Sequence, residues 1–479
     1  MTDTTILFGA DDCLHLAEML RSSSISRREL LEETIRRVET LDETLNAVPI
    51  RFFEAAMAEA DGPLPDGPFA GVPVMVKDAQ TPIKGQEMTQ GSNVMKGNVA
   101  AADAPLVARM KAAGMTILAR SSSAEFGSMF ETDTARYGAT RNPWNPDHSS
   151  GGSSGGASAA VAARMVLAGH AGDGAGSIRV PAGFCGVFGL KPSRGLVPMG
   201  PDPLESPGGT TTSGFTSISV RDNAAMLDAV SAPMTGALYP AVNQGVSLLA
   251  QLEEAPKGLK IGLIRRPLAE IEPDPEVIAA VEETAALCEE LGHHVVEVEL
   301  PIDHAATLER IWLHWAVSIG TAIHRIDQRR GVPGAIADAG RYVQLLWEKS
   351  RAVTAPDYLA NLNRLQVTCG QVAQWQEAQG LEVLLSPMAA GAPPRLGWLN
   401  AETDDPETVH IRQRDYFSYT PLMNHMGAPG MSVPLGWSRS GLPLGSHFFA
   451  AQGQDGLLLR LARQLEIARP WRDRLPGIC

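Results

Sequence analysis

Apolar residues recur at helical spacing near the start of the chain. Leu30, Leu31, Ile35 and Val38 follow the capping box Ser26-Arg27-Arg28-Glu29, so residues 11 to 45 are predicted to form two helices. The pattern then changes. Phe69 to Val76 is an apolar run that stops at Lys77-Asp78, which predicts a short buried strand ending in a polar pair. Residues 105 to 119 read as a helix and then a strand, broken at Gly114. Residues 157 to 168 are small and apolar and predict a closely packed buried helix. Further on, strands are predicted at 257 to 264, 294 to 300, 381 to 387 and from Met431 to Phe449. Helices are predicted at 275 to 292, across much of 303 to 380, and from about Gly456 to Ala468. This alternation is that of an α/β protein built on a sheet. No linker divides the chain, and one large domain over 1–479 is expected.

Composition narrows the function classes. The chain has 479 residues, 44% hydrophobic and 20% charged, with a formal net charge of -14. That balance argues against nucleic-acid binding, which calls for a basic face. No run of 18 uncharged apolar residues occurs, so no membrane span is expected. The start, Met1 to Asp12, lacks the basic and apolar regions of a secretory signal. Five scattered cysteines with no CxxC pair suggest neither a zinc knuckle nor a disulfide framework. A reducing cytoplasm is the expected location. The histidines, including His293-His294, show no metal-ligand spacing with cysteines or carboxylates.

The candidate chemistry lies in two Gly-rich stretches. Ser149-Ser150-Gly151-Gly152-Ser153-Ser154-Gly155-Gly156 is, by composition alone, a plain loop. It runs straight into the alanine-rich helix, however, which is unlike a linker. A second stretch, Gly172-Asp173-Gly174-Ala175-Gly176-Ser177-Ile178-Arg179, follows at once. Gly-rich backbone can direct several N–H groups at one point, as an oxyanion requires. A serine there becomes a nucleophile if a base can take its proton. Two matches to G-x-S-x-G occur, at Ser153 and Ser154, but a nucleophile elbow needs a strand directly before it. Residues 141 to 152 read as a loop, so the elbow is rejected. No P-loop and no S-x-x-K pattern is present.

Lys77 is one of eight lysines set against 32 arginines, and it follows Val-Pro-Val-Met-Val. A lysine at a strand end is usually a solvated charge. If buried, it would lose its proton more readily and could serve as a base.

Five segments together carry a resemblance: Gly71-Val-Pro-Val-Met-Val-Lys77-Asp, Arg141-Asn-Pro-Trp, Gly151-Gly-Ser-Ser-Gly-Gly, Gly172-Asp-Gly-Ala-Gly-Ser-Ile-Arg-Val-Pro-Ala and Phe188-Gly-Leu-Lys-Pro-Ser. The chain resembles the amidase signature family over most of its length. The resemblance implies a large mixed, twisted sheet flanked on both faces by helices. The catalytic core would span about 60–200, and a variable region about 203–400 would shape the substrate site. It also implies a Ser–cis-Ser–Lys triad. Ser177 would be the nucleophile, Ser153 the bridging serine after a cis peptide bond, and Lys77 the base. Backbone N–H groups of Gly174, Ala175, Gly176 and Ser177 would form the oxyanion hole, with no metal or organic cofactor. Gly174 stands where Thr or Ile is frequent in the family, and Ala175 where Gly is usual. Gly127, Ser128, Met129 and Phe130 resemble a substrate-facing loop by position, while ordinary packing of Met129 and Phe130 is an equal reading.

Within the family, the stretch 188–202, with Gly441-Leu-Pro-Leu-Gly and Ala468-Arg-Pro-Trp471, is most similar to 6-aminohexanoate cyclic dimer hydrolases. The expected function is hydrolysis of amide or carbamate bonds in small, fairly apolar substrates, with ester cleavage and a homodimer as companion expectations. Two alternatives are the amidase component of a glutamine-dependent tRNA amidotransferase and a non-catalytic binding protein of the same fold. A glutaminase assay would separate the first, and a wide panel of amides, esters and carbamates the second.

Overall fold

A computed structural model describes residues 9–200, 206–239 and 245–479. Pro201 and Asp202, at the end of the 188–202 stretch, lie outside the described residues, as do residues 1–8 and the start of the 203–400 region.

The first two helices form as the pattern predicts. They are α1 (Cys13–Arg21) and α2 (Arg27–Leu45), and the capping box of α2 has both of its hydrogen bonds. Eleven strands then build one sheet: β1 (Ile50–Arg51), β2 (Pro73–Lys77), β3 (Thr116–Ser121), β4 (Ala168–Asp173), β5 (Phe188–Lys191), β6 (Thr212–Ser217), β7 (Lys260–Leu263), β8 (His294–Glu297), β9 (Val383–Pro387), β10 (Gly430–Trp437) and β11 (Pro443–Ala450). Their order across the sheet is β1-β3-β2-β4-β6-β5-β10-β11-β9-β7-β8. Pairing is mixed. β2 runs parallel to β3 and β4, and β9, β7 and β8 run parallel to one another. The ladders between β4 and β9 are antiparallel.

Both faces of the sheet are covered, and strand periodicity shows how. Val383 and Leu385 of β9 join one apolar cluster, with Phe448, Leu458 and Leu465. Leu384 between them joins a second cluster, with Phe449, Trp312 and Leu346. Successive side chains of a strand point to opposite faces, so a continuous apolar strand is one that needs cover on both sides.

Two local expectations are corrected. Residues 141 to 152 are not a plain loop: Arg141–Asn142 and Asn145–Ser149 pair as a small hairpin outside the main sheet. Its polar residues suit a strand that is half-exposed and held by backbone contact with Pro394, Arg395 and Leu396. The helix read at 157–168 is α3 (Gly155–Ala162), after which the chain turns and β4 begins at Ala168. Every residue of α3 is buried. A Cβ on Gly156 would collide with the Ser122 backbone at the end of β3. Glycine there lets the helix start rest directly on the sheet.

Candidate active site

The site forms where parallel strands end together. Lys77 is the last residue of β2 and Asp173 the last of the adjacent strand β4. Loops beyond the carboxyl ends of parallel strands are the usual place for ligands in α/β sheets.

Lys77 is buried, with 3% of its surface exposed. Its Nζ lies 2.7 Å from Ser153 Oγ and 3.3 Å from the Gly172 carbonyl oxygen. Burial pushes its pKa down to about 7, against an opposing pull from the Asp173 charge. The amine is therefore neutral in a large fraction of molecules near neutral pH. The peptide bond Gly152–Ser153 is cis, as the resemblance implied. The neighbouring Ser154 is engaged elsewhere, its Oγ donating to the Gly172 carbonyl at 3.2 Å. The hairpin strand before this loop removes the original reason for rejecting an elbow at Ser154, but that hydroxyl is committed to the backbone.

Ser177 lies between β4 and helix α4 (Arg179–Cys185) and is buried at 4% exposure. Its hydroxyl makes no hydrogen bond among the described residues. The loop before it is fixed from behind. The Gly176 and Ile178 amides donate to the two oxygens of Asp173, at 2.7 and 3.1 Å. Arg179 binds the same carboxylate through Nε and Nη2, at 2.9 and 3.0 Å. Asn424 Nδ2 adds a bond at 2.9 Å. Burial by itself would raise the Asp173 carboxyl, but the charge and hydrogen bonds of Arg179, with Lys191 and Asn424, hold it well below the ordinary range. Arg179 also donates to His447 Nε2 at 2.9 Å, and burial keeps that imidazole neutral.

This network engages one of the four amides expected at the oxyanion hole. The Gly176 amide belongs to Asp173, because a buried carboxylate takes whatever donors it can reach. Gly174, Ala175 and Ser177 keep amides that donate to nothing among the described residues. The carbonyl of the Ala175–Gly176 peptide is held as well, accepting from Thr420 Oγ1 at 2.6 Å. That peptide plane is therefore pinned at both ends. Gly176 sits at φ +142°, and a Cβ there would strike Thr420, so only glycine fits.

The expected substrate-facing loop lies beside this centre, but its residues differ in role. Gly127 is against Ser153: a Cβ on it would lie 3.3 Å from Ser153 Oγ. Ser128 is buried with its hydroxyl unpaired among the described residues. Phe130 packs inward, stacked on Phe417 with centroids 4.5 Å apart, and Met129 packs against the same apolar cluster. The edge of the Phe130 ring also borders the loop before Ser177, its Cε1 lying 3.0 Å from where a Cβ on Gly176 would stand. Residues the sequence did not single out are Thr420, Asn424 and Trp315, the last lying against Gly174. No local signal marks them, since each meets the loop from far along the chain.

Comparison with known proteins adds to this geometry. The family model described as Amidase matches residues 29–459. The chain is 37% identical to the 6-aminohexanoate-cyclic-dimer hydrolase of Pseudomonas sp. (strain NK87) over 478 residues, 98% of this chain and 96% of that one. The enzyme of the same name from Paenarthrobacter ureafaciens gives the same figures. The solved structure of 6-aminohexanoate cyclic dimer hydrolase matches with a TM-score of 0.91 at 35% identity, covering 98% of this chain and 99% of that one. The solved glutamyl-tRNA(Gln) amidotransferase chain from Thermotoga maritima matches at a TM-score of 0.77 and 25% identity, covering 98% of this chain and 97% of that one.

Proposed function

This chain belongs to the amidase signature family, a hydrolase acting on non-peptide carbon–nitrogen bonds, and from that premise we propose that it cleaves small, fairly apolar amides through a Ser177–Ser153–Lys77 relay. Carbamates are included in the proposed range, since their carbonyl–nitrogen bond yields to the same acyl transfer. The observation that carries the reading is the 2.7 Å contact between a buried Lys77 amine and Ser153 Oγ.

The reaction follows from the positions of the groups. Neutral Lys77 accepts a proton from Ser153 as Ser153 accepts one from Ser177. The link between the two serines closes when substrate is bound, as catalytic hydrogen bonds commonly do. Ser177 Oγ attacks the carbonyl carbon, and the free amides of Gly174, Ala175 and Ser177 face the developing oxyanion. One such donor typically contributes about 2.7–4 kcal/mol to the transition state. Lys77 returns its proton through Ser153 to the leaving amine, which departs and leaves an acyl ester on Ser177. Water then releases the acid by the same relay. Every step is an acyl or proton transfer.

The relatives' named substrate, a cyclic dimer of 6-aminohexanoate, is a small amide with long apolar stretches, which supports the substrate class. The test is turnover by the purified chain of that cyclic dimer, of simple anilides and of aryl and alkyl carbamates, with glutamine as a control. Hydrolysis is expected within the amide set, falling about 10⁴-fold or more in Ser177→Ala and Lys77→Ala, as for other nucleophile–base pairs. Ammonia release from glutamine alone, or full activity in either variant, would overturn the proposal.

A further inference from the structure

Ser153 sits in a turn, Gly151 to Gly155, that lies against residues 129–132. A Cβ on Gly152 would stand 2.6 Å from the Met129 carbonyl oxygen and 2.7 Å from both the Glu131 amide nitrogen and the Phe130 carbonyl carbon. The two backbones are therefore in direct contact, and one side chain of the outer segment is bonded into the turn. Thr132 Oγ1 donates to the Gly151 carbonyl oxygen at 2.9 Å and accepts from the Gly155 amide at 3.0 Å. The Ser153 carbonyl oxygen lies 3.4 Å from the same hydroxyl. A hydroxyl can donate and accept at once, so a single oxygen ties together the backbone before and after Ser153. Thr132 is buried at 1% exposure, away from competing water.

The segment that carries Thr132 is itself held in place. Its own carbonyl accepts from the Thr140 amide at 2.7 Å. Two residues earlier, the Phe130 amide donates to Gln413 Oε1 at 3.3 Å, from helix α5 (Pro406–Tyr416). Thr132 thus meets the turn as a fixed point. On the other side of the turn, Ser153 Oγ is 2.7 Å from Lys77 Nζ. A proton relay depends on such distances, and a misplacement of about 1 Å can cost about 10²-fold in rate.

We propose that Thr132 is a positioning residue of the relay, whose hydroxyl clamps the turn so that Ser153 Oγ can pass a proton between Lys77 and the leaving amine. The inference rests on the relay proposed above and adds the group that aims its middle member. Thr132 acts through Ser153 and not on the substrate.

The test uses the anilide and the p-nitrophenyl ester of one acid. Both require Ser177 to lose a proton, but only the amide needs a proton delivered to its leaving group, because p-nitrophenolate departs as an anion. The quantity read is the amide-to-ester ratio of kcat/KM, which does not depend on how much of a variant is folded. Thr132→Val keeps the shape and removes both hydrogen bonds. It is expected to lower kcat/KM for the anilide about 10²-fold and the amide-to-ester ratio about tenfold. Thr132→Ser keeps the hydroxyl and should stay within about threefold of the unmodified chain on both substrates, since each bond is retained. Where the valine variant yields no folded protein, Thr132→Cys takes its place: the thiol is a weak donor and acceptor, and the ratio should fall in the same direction. An unchanged ratio, with both substrates slowed equally, means that Thr132 serves packing alone and overturns this inference. Undiminished anilide turnover in Lys77→Met, or none by the unmodified chain, overturns the relay reading and this inference with it.

Discussion

Burial makes the Lys77 ammonium easier to deprotonate, which suits the base role proposed for it. Its pKa near 7 makes two effects visible. Activity should rise with pH through about 7 and level off above, because only the neutral amine accepts a proton. Stability should follow its own course. In the unfolded chain a lysine titrates near 10.4, so between about 7 and 10 the unfolded state binds more protons than the folded one. Stability therefore rises with pH across that window. Lys191 is also pushed to about 7 by burial, so the measurement must isolate Lys77. In Lys77→Met the melting temperature should gain least from a shift from pH 7 to pH 10; an equal gain in variant and unmodified chain would contradict the assignment. The sequence made Lys77 legible through the apolar run before it. It could not show Trp315, Thr420 or Asn424. Thr420 and Ala175 are 245 residues apart, and no spacing rule links them.

At the level of elements, apolar runs were the reliable guide. β2, β7, β9 and the late strands formed where such runs stand. β4 was not foreseen, for a physical reason: Ala168-Gly-His-Ala-Gly-Asp173 holds no β-branched residue. It is a strand because β2 and β6 flank it and use its backbone, so tertiary pairing outweighs propensity. The short helix α6 (Pro421–Met426) has a comparable hidden role. Thr420 and Asn424 reach from its start and its body to the Ala175 and Asp173 carbonyls. Thr420→Val keeps the shape but removes the donor, leaving a buried carbonyl unpaired. It should lower kcat about tenfold or more, within the range set by one oxyanion donor, with KM changed less than about threefold. Thr420→Ser should recover most of the rate. Equal losses in both variants would mean that the threonine acts through packing alone.

Across the whole molecule, the α/β class and the mixed sheet with two covered faces followed from alternating elements and the family resemblance. The division of labour is less local than a core at about 60–200 suggests. Region 203–400 supplies Trp315, and the segment beyond 400 supplies Thr420 and Asn424, so all three parts of the chain converge on one loop. We propose that residues 1–479 act as one catalytic unit for this reason. Among the described residues, no helix is long and apolar enough to cross a membrane. The proposed activation of Ser177 by Lys77 through Ser153 can be read by peptide-mapped mass spectrometry after labelling with a fluorophosphonate serine probe. An adduct is expected on Ser177 and is expected to be lost in Lys77→Ala. An adduct on Ser154, or labelling of Ser177 that survives the loss of Lys77, would contradict it.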